Sequence, residues 1–267
     1  MKFQNCLLAS DYDGTLYADD GKIQPDVLEA ISYFQQNGGT FTVCTGRVAK
    51  GFHAYNPAYI NAPVLVANGA AAFDYEKGKY VFYNGIGSEG ISAVRALMME
   101  FPELSIELYG TEEISAIHMS ENTVRHFTAQ DFSFLQVEDP QQVRLPWCKI
   151  MLDAGVDSQR VQDFLSKNIK DPIFLPTTGS FVEMLKRGVN KGTGLLRLAD
   201  ALKIPHNRVF AVGDGYNDVD MLKAAEIGFV PKNGSPEALA AAGQVVRSNN
   251  DGAVANVIEI LDRVLKA

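Results

Sequence analysis

Four short apolar runs, at residues 6–10, 41–44, 64–67 and 208–212, each stop abruptly at polar or glycine residues, and this pattern limits the possible folds more than any other feature. A brief continuous apolar run bounded by turn residues suits a strand buried on both faces, as in a parallel sheet. Stretches of helical period lie beside these runs. Residues 25–37 begin with Pro25, place Leu28, Ile31 and Phe34 on one face and stop at Gly38-Gly39. Residues 192–203 turn Leu195, Leu196, Ala199 and Leu202 inward, and 217–225 forms a further helix. A strand at 227–230 and a closing helix with Val254, Val257, Ile258, Leu261 and Leu265 complete the alternation, which predicts an α/β fold with a largely parallel sheet.

The grammar changes between residues 83 and 187. A helix carrying Ile91, Val94, Leu97, Met98 and Phe101 precedes the short alternating segments SIELY and SAIHM. A second helix follows, with Val161, Phe164, Leu165 and Ile169, and then strands at 172–176 and 180–185. Strands grouped beside helices predict a separate α+β domain inserted into the first. The expected division is a discontinuous core of 1–82 and 188–267 around an inserted domain of 83–187, within the capacity of 267 residues.

No segment reaches the roughly 18 consecutive apolar residues of a membrane helix, and the apolar run at the start is too short for a secretory signal. A cytoplasmic protein is expected, without membrane association. Cys6, Cys44 and Cys148 lie singly in apolar runs, so buried reduced thiols are expected. The net charge of −8 and the absence of a basic stripe oppose nucleic-acid binding; protein partners are not legible.

In open parallel sheets, ligands gather at the carboxyl ends of the strands. Asp11, Thr45, Asn68 and Asp214 each follow an apolar strand there. Asp11 and Asp13, in DYDGT, are like charges that a hard divalent cation such as Mg²⁺ would relieve, and such an ion usually accompanies phosphate. Asp214, with Asn217 and Asp218, adds a second acidic group in GDGYND. Thr45 and Gly46 offer a hydroxyl and open backbone N–H groups to a phosphoryl oxygen, and Lys191 offers a point charge at a helix start. Phosphoryl transfer needs an in-line nucleophile, cationic cover and a proton carrier, roles open to Asp11 and Asp13.

DYDGT at 11–15, TGR at 45–47, NKG at 190–192 and GDGYND at 213–218 together resemble the four ordered motifs of the haloacid dehalogenase superfamily, and more narrowly its Cof-type sugar-phosphatase branch. The resemblance spans nearly the whole chain. It implies a doubly wound parallel-sheet core with an α+β cap, inserted between the second and third motifs, that closes over the site and reads the leaving group. It implies Mg²⁺ held by Asp11, Asp13 (through its main-chain carbonyl) and Asp214, and an aspartyl phosphate formed on Asp11. Asp13 would then protonate the leaving alcohol and activate water; Thr45, Gly46, Lys191 and Asn217 would bind the phosphoryl group. Asp218, Asn68 and Arg47 are further candidates. Tyr12 departs from the branch, which usually has an aliphatic residue between the two aspartates, and so does the tail IGFVPKNGSPE.

The expected activity is Mg²⁺-dependent hydrolysis of phosphomonoesters of small metabolites, sugar phosphates foremost. A phosphomutase would use the same aspartyl phosphate, and a phosphosugar-binding regulator would keep the cradle without turnover.

Overall fold

The structure, a computed structural model, describes residues 1–176 and 181–265; Ser180, where the strand expected at 180–185 would begin, lies outside them. The first stretch contains β1 (Leu7–Ser10), α1 (Pro25–Gln36), β2 (Thr40–Val43), β3 (Val64–Val66), β4 (Ala71–Asp74) and β5 (Lys79–Tyr83). The middle contains α2 (Ser88–Glu100), β6 (Ser105–Tyr109), β7 (Ile114–Ile117), α3 (Glu121–Ala129), β8 (Leu135–Gln136), β9 (Lys149–Asp153), α4 (Ser158–Asn168), β10 (Ile173–Pro176) and β11 (Phe181–Leu185). The last contains α5 (Lys191–Leu202), β12 (Val209–Val212), α6 (Val219–Ala224), β13 (Ile227–Pro231), α7 (Pro236–Ala241), β14 (Gln244–Val246) and α8 (Ala253–Val264).

Two compact units result: residues 1–47, 54–82 and 190–267 in one, 48–53 and 83–189 in the other. In the first, β14-β13-β12-β1-β2 form a parallel sheet, which a parallel bridge from Cys44 to Leu65 continues toward β3. The next strands after β1 fall on either side of it, β2 on one flank and β12 on the other, so strand order reverses at β1. Side chains alternate between faces. Leu7 and Ala9 of β1 and Val209 and Ala211 of β12 pack with Leu195, Leu198 and Ala199 of α5 and Met221 of α6. The alternate residues Leu8, Phe210 and Val212 are equally buried, and α1 packs on α8 in the same unit. A four-residue strand, Leu7–Ser10, with every side chain buried and three of the four apolar is what such a doubly wound sheet demands.

α1 buries Val27, Ile31 and Phe34 and leaves Leu28 exposed, so its inward stripe starts one residue earlier than expected. The helix expected over 217–225 is two pieces, a 3₁₀ turn at Tyr216–Asp218 followed by α6. The tighter turn carries Asp218 inward, where it is fully buried.

The second unit is α+β. Its sheet runs β10-β11-β9-β6-β7-β8, antiparallel except for the last pair. Ile106, Leu108, Ile150, Leu152, Val182 and Met184 form one face and pack with Val94 and Leu97 of α2 and Val161 and Leu165 of α4. The opposite face is polar yet buried: Glu107 accepts the Tyr109 hydroxyl at 2.5 Å and faces His126 Nδ1 at 3.0 Å, while Lys149 pairs with Glu183 at 3.5 Å. Among the described residues no helix is long and apolar enough to cross a membrane. Cys6, Cys44 and Cys148 are all buried and free.

Candidate active site

β1 ends at Ser10, and the backbone N–H of the next residue, Asp11, donates to the Val212 carbonyl at 2.8 Å, so the ends of β1 and β12 are laced together. That lacing brings Asp11 and Asp214 side by side although 203 positions separate them in sequence. Asp218 joins them, and one oxygen from each of the three carboxylates lies within 4.8 Å of the others. Lys191 reaches the same place from the first turn of α5. Its Nζ is completely buried and donates to Asp11 Oδ1 and, at 2.6 Å, to Asp218 Oδ1. Asp218 Oδ2 accepts the Gly215 N–H at 2.8 Å, which fixes its ring of contacts.

Burial and the neighbouring Asp218 push the Asp11 carboxyl up to about 8, against the pull of Lys191. Burial disfavours the Lys191 charge, but Asp11 and Asp218 outweigh it and hold the ammonium above its usual value. Asp214 is likewise raised by burial, with Thr15 pulling the other way. Burial is the largest cause for both carboxyls; counted with every group ionised, the three carboxylates and one ammonium leave a formal surplus of two negative charges. The donors are all oxygen, without histidine or thiolate among them, which suits a hard divalent cation such as Mg²⁺.

Two backbone features let this cluster form. Asp13 (φ −81°, ψ 121°) and Gly14 (φ 80°, ψ 0°) make a type II turn. A Cβ on Gly14 would stand 2.7 Å from Asp214 Oδ2, so only glycine serves there. At Gly69 (φ 86°) a Cβ would lie 2.3 Å from the Asn190 carbonyl oxygen, and the bare backbone lets α5 bring Lys191 in. The Asn190 side chain caps α5 by accepting the Thr193 N–H at 2.8 Å.

Thr45 is buried two residues past the end of β2; its N–H donates to the Leu65 carbonyl at 2.9 Å and its Oγ1 accepts the Arg47 N–H at 3.1 Å. Asn68 adopts a left-handed backbone (φ 52°) and its Oδ1 accepts Asn217 Nδ2 at 3.0 Å. Gly46 lies beside Asn68, whose amide would sit 3.3 Å from a Cβ there. Asp13 is the exception among the motif residues. Its side chain is exposed and paired with Arg47, apart from the three clustered carboxylates.

Sequence reasoning passed over two contacts. Thr15 donates to Asp214 Oδ1 at 2.6 Å, and Asn233 Nδ2 donates to the Gly14 carbonyl at 2.8 Å. Tyr12, singled out in the sequence as a departure, lies under Arg47, with 5.3 Å between its ring centroid and the guanidinium carbon. Thr15 was within reach, since it follows the aspartate pair in DYDGT, whereas nothing local marks Asn233.

The family of haloacid dehalogenase-like hydrolases matches residues 8–258. The 5-amino-6-(5-phospho-D-ribitylamino)uracil phosphatase YbjI of Escherichia coli is 25% identical, the alignment covering 97% of this chain and 96% of that one. The pyridoxal phosphate phosphatase YbhA of Escherichia coli is also 25% identical, over 94% and 97%. Among solved structures, the subclass IIB sugar phosphatase BT4131 superposes with a TM-score of 0.82 at 18% identity, over 97% of this chain and 100% of that one. With a family match that runs through both units, the chain belongs to the haloacid dehalogenase-like hydrolases, in their Cof-type phosphatase branch.

Proposed function

We propose that the protein hydrolyses phosphomonoesters of small metabolites, sugar phosphates foremost, through an aspartyl phosphate on Asp11. The supporting observation is the buried Asp11 carboxyl, held by Lys191 at the edge of an acidic cluster that carries two negative charges in excess when every group is ionised. One Asp11 oxygen attacks phosphorus in line with the ester oxygen; the P–O bond to the alcohol breaks and Asp13 gives its proton to the departing oxygen. Asp13 then takes a proton from water, the water oxygen attacks phosphorus, and the bond to Asp11 breaks to release inorganic phosphate. Lys191 orients Asp11, and Thr45 and the N–H groups at Gly46 bind phosphoryl oxygens. Asn217, whose Nδ2 donates to Asn68 Oδ1, adds a further donor for the phosphoryl group.

Asp11, Asp214 and the Asp13 main-chain carbonyl would hold Mg²⁺, with Asp218 beside them. Mg²⁺ supplies positive charge to the phosphoryl oxygens. The names of YbjI, YbhA and BT4131 cover a phosphorylated ribityl compound, a phosphorylated cofactor and a sugar phosphate. All are small phosphorylated molecules.

The test is phosphate release from a panel of sugar phosphates, nucleotides and phosphorylated cofactors, with Mg²⁺ and with chelator. Turnover should require Mg²⁺, and Asp11→Asn should lose roughly 10⁴-fold or more in kcat/KM. An Asp11→Asn protein with full activity would remove Asp11 as nucleophile. Phosphate moved within the substrate would indicate a mutase, and binding without any turnover would indicate a regulator.

A further inference from the structure

Asp13 stands outside the buried cluster, and what surrounds it is unusual. Its side chain is 63% exposed, yet Arg47 grips both oxygens: Nη2 lies 2.9 Å from Oδ1 and 3.2 Å from Oδ2, and Nε lies 3.3 Å from Oδ2. An exposed ion pair adds little to stability. Direction is what a planar guanidinium fork supplies, and an ammonium does not.

The backbone and Tyr12 complete the arrangement. Asp13 occupies the first corner of the type II turn whose second corner, Gly14, abuts Asp214, so the turn itself sends the two acidic side chains different ways. Arg47 lies over the Tyr12 ring at 5.3 Å. That ring is 6% exposed and packs against Tyr17 with centroids 4.3 Å apart, which makes it a fixed surface. The ring therefore offers the cation a π-face that packing holds in place. An aliphatic residue between the two aspartates would offer packing but no such face.

We propose that Tyr12 and Arg47 are positioning residues for the proton-transferring carboxylate: the Tyr12 ring carries the guanidinium, and the guanidinium aims Asp13. The inference rests on the acid/base role given to Asp13 above. It adds no chemical step and decides how often the carboxylate is correctly placed when the ester bond breaks.

Steady-state kinetics on the best alkyl phosphate of the panel and on 4-nitrophenyl phosphate test it, because a poor alkoxide leaving group needs the proton and a nitrophenolate does not. Asp13→Asn serves as the control and should lose far more on the alkyl ester than on the aryl one. Arg47→Ala should lower kcat on the alkyl ester about 10- to 100-fold, with KM within about twofold and the aryl ester much less affected. Added guanidinium ion should restore part of that loss. Tyr12→Leu should lower the alkyl kcat about two- to fivefold in the same pattern, and Tyr12→Phe, which keeps the ring, should match the parent.

A raised KM for both esters in Arg47→Ala, with kcat unchanged, would make Arg47 a phosphate-binding group and overturn the proposal. Equal kinetics of Tyr12→Leu and the parent would overturn the part played by the ring. Equal losses on both esters in Asp13→Asn would instead overturn the acid/base reading itself, a failure visible in the control before any change at Arg47.

Discussion

Asp11 and Asp13 stand one residue apart in sequence and live in different surroundings. Asp11 is buried against an ammonium and two further carboxylates; Asp13 is exposed beside a guanidinium. A strand–turn junction produces the difference, because β1 aims Asp11 at the end of β12 while the turn at Gly14 throws Asp13 outward. Lys191 is the residue on which the cluster depends most. Removing one member of a buried charged set leaves the others uncompensated and costs about 3–5 kcal/mol. Lys191→Met should therefore destabilise the first unit by about that amount, read as a lower urea midpoint by far-UV circular dichroism in the absence of Mg²⁺. Mg²⁺ should recover part of the loss by supplying the missing positive charge. A midpoint unchanged within about 0.5 kcal/mol would show that water, rather than Lys191, compensates the acids.

At the scale of elements, the turn joining β4 to β5 offers a test independent of the active site. Asp74 closes it twice, accepting the Lys77 N–H at 3.0 Å and the Lys77 ammonium at 2.7 Å. The hydrogen bond from the Lys77 side chain holds the Asp74 carboxyl below its usual range. A depressed folded-state value means stability that is present above the unfolded value, about 3.9, and lost as pH falls through the folded one. Asp74→Asn should thus cost about 1 kcal/mol or less at pH 7 and progressively less as pH falls below the unfolded value, by urea titration at pH 7 and in acid. A cost that persists unchanged at low pH would assign the effect to the backbone turn alone. This hairpin also shows what sequence reading could not reach. β1 and β12 were legible because burial on both faces makes each a continuous apolar run. The strands β4 and β5 mix Phe73, Tyr80 and Val81 with alanines and polar residues and have no clear period. α3 hides its apolar stripe among polar residues, with only Thr123 and Phe127 buried, and α7 and β14 are too short to show a period at all. The four motifs were readable as local strings, whereas the bonds from Thr15 to Asp214 and from Asn233 to Gly14 span 199 and 219 positions and arise only from strand order.

Each of the two units has a core of its own at the scale of the whole molecule. The cluster around Leu7, Leu195 and Val209 belongs to the first, and that around Val94, Ile150 and Trp147 to the second. Separate cores imply separate cooperative transitions. The acidic cluster lies wholly in the first unit, and the only tryptophan of the sequence, Trp147, is buried in the second. A cation that binds the folded first unit stabilises it by mass action, about 2.7 kcal/mol at a concentration 100 times Kd. For a unit of this size that corresponds to an upward shift of about 5–10 °C. Mg²⁺ should therefore raise the thermal midpoint of the first unit, followed by far-UV circular dichroism, while the transition seen by Trp147 fluorescence stays in place. Asp214→Asn removes one negative charge from the cluster and should shrink the Mg²⁺-dependent shift without moving the Trp147 transition. If both probes move together with Mg²⁺, the units unfold as one cooperative body. If neither moves, the two-charge excess is not used to bind the metal, and the chemistry assigned to Asp11 must draw its positive charge from Lys191 alone.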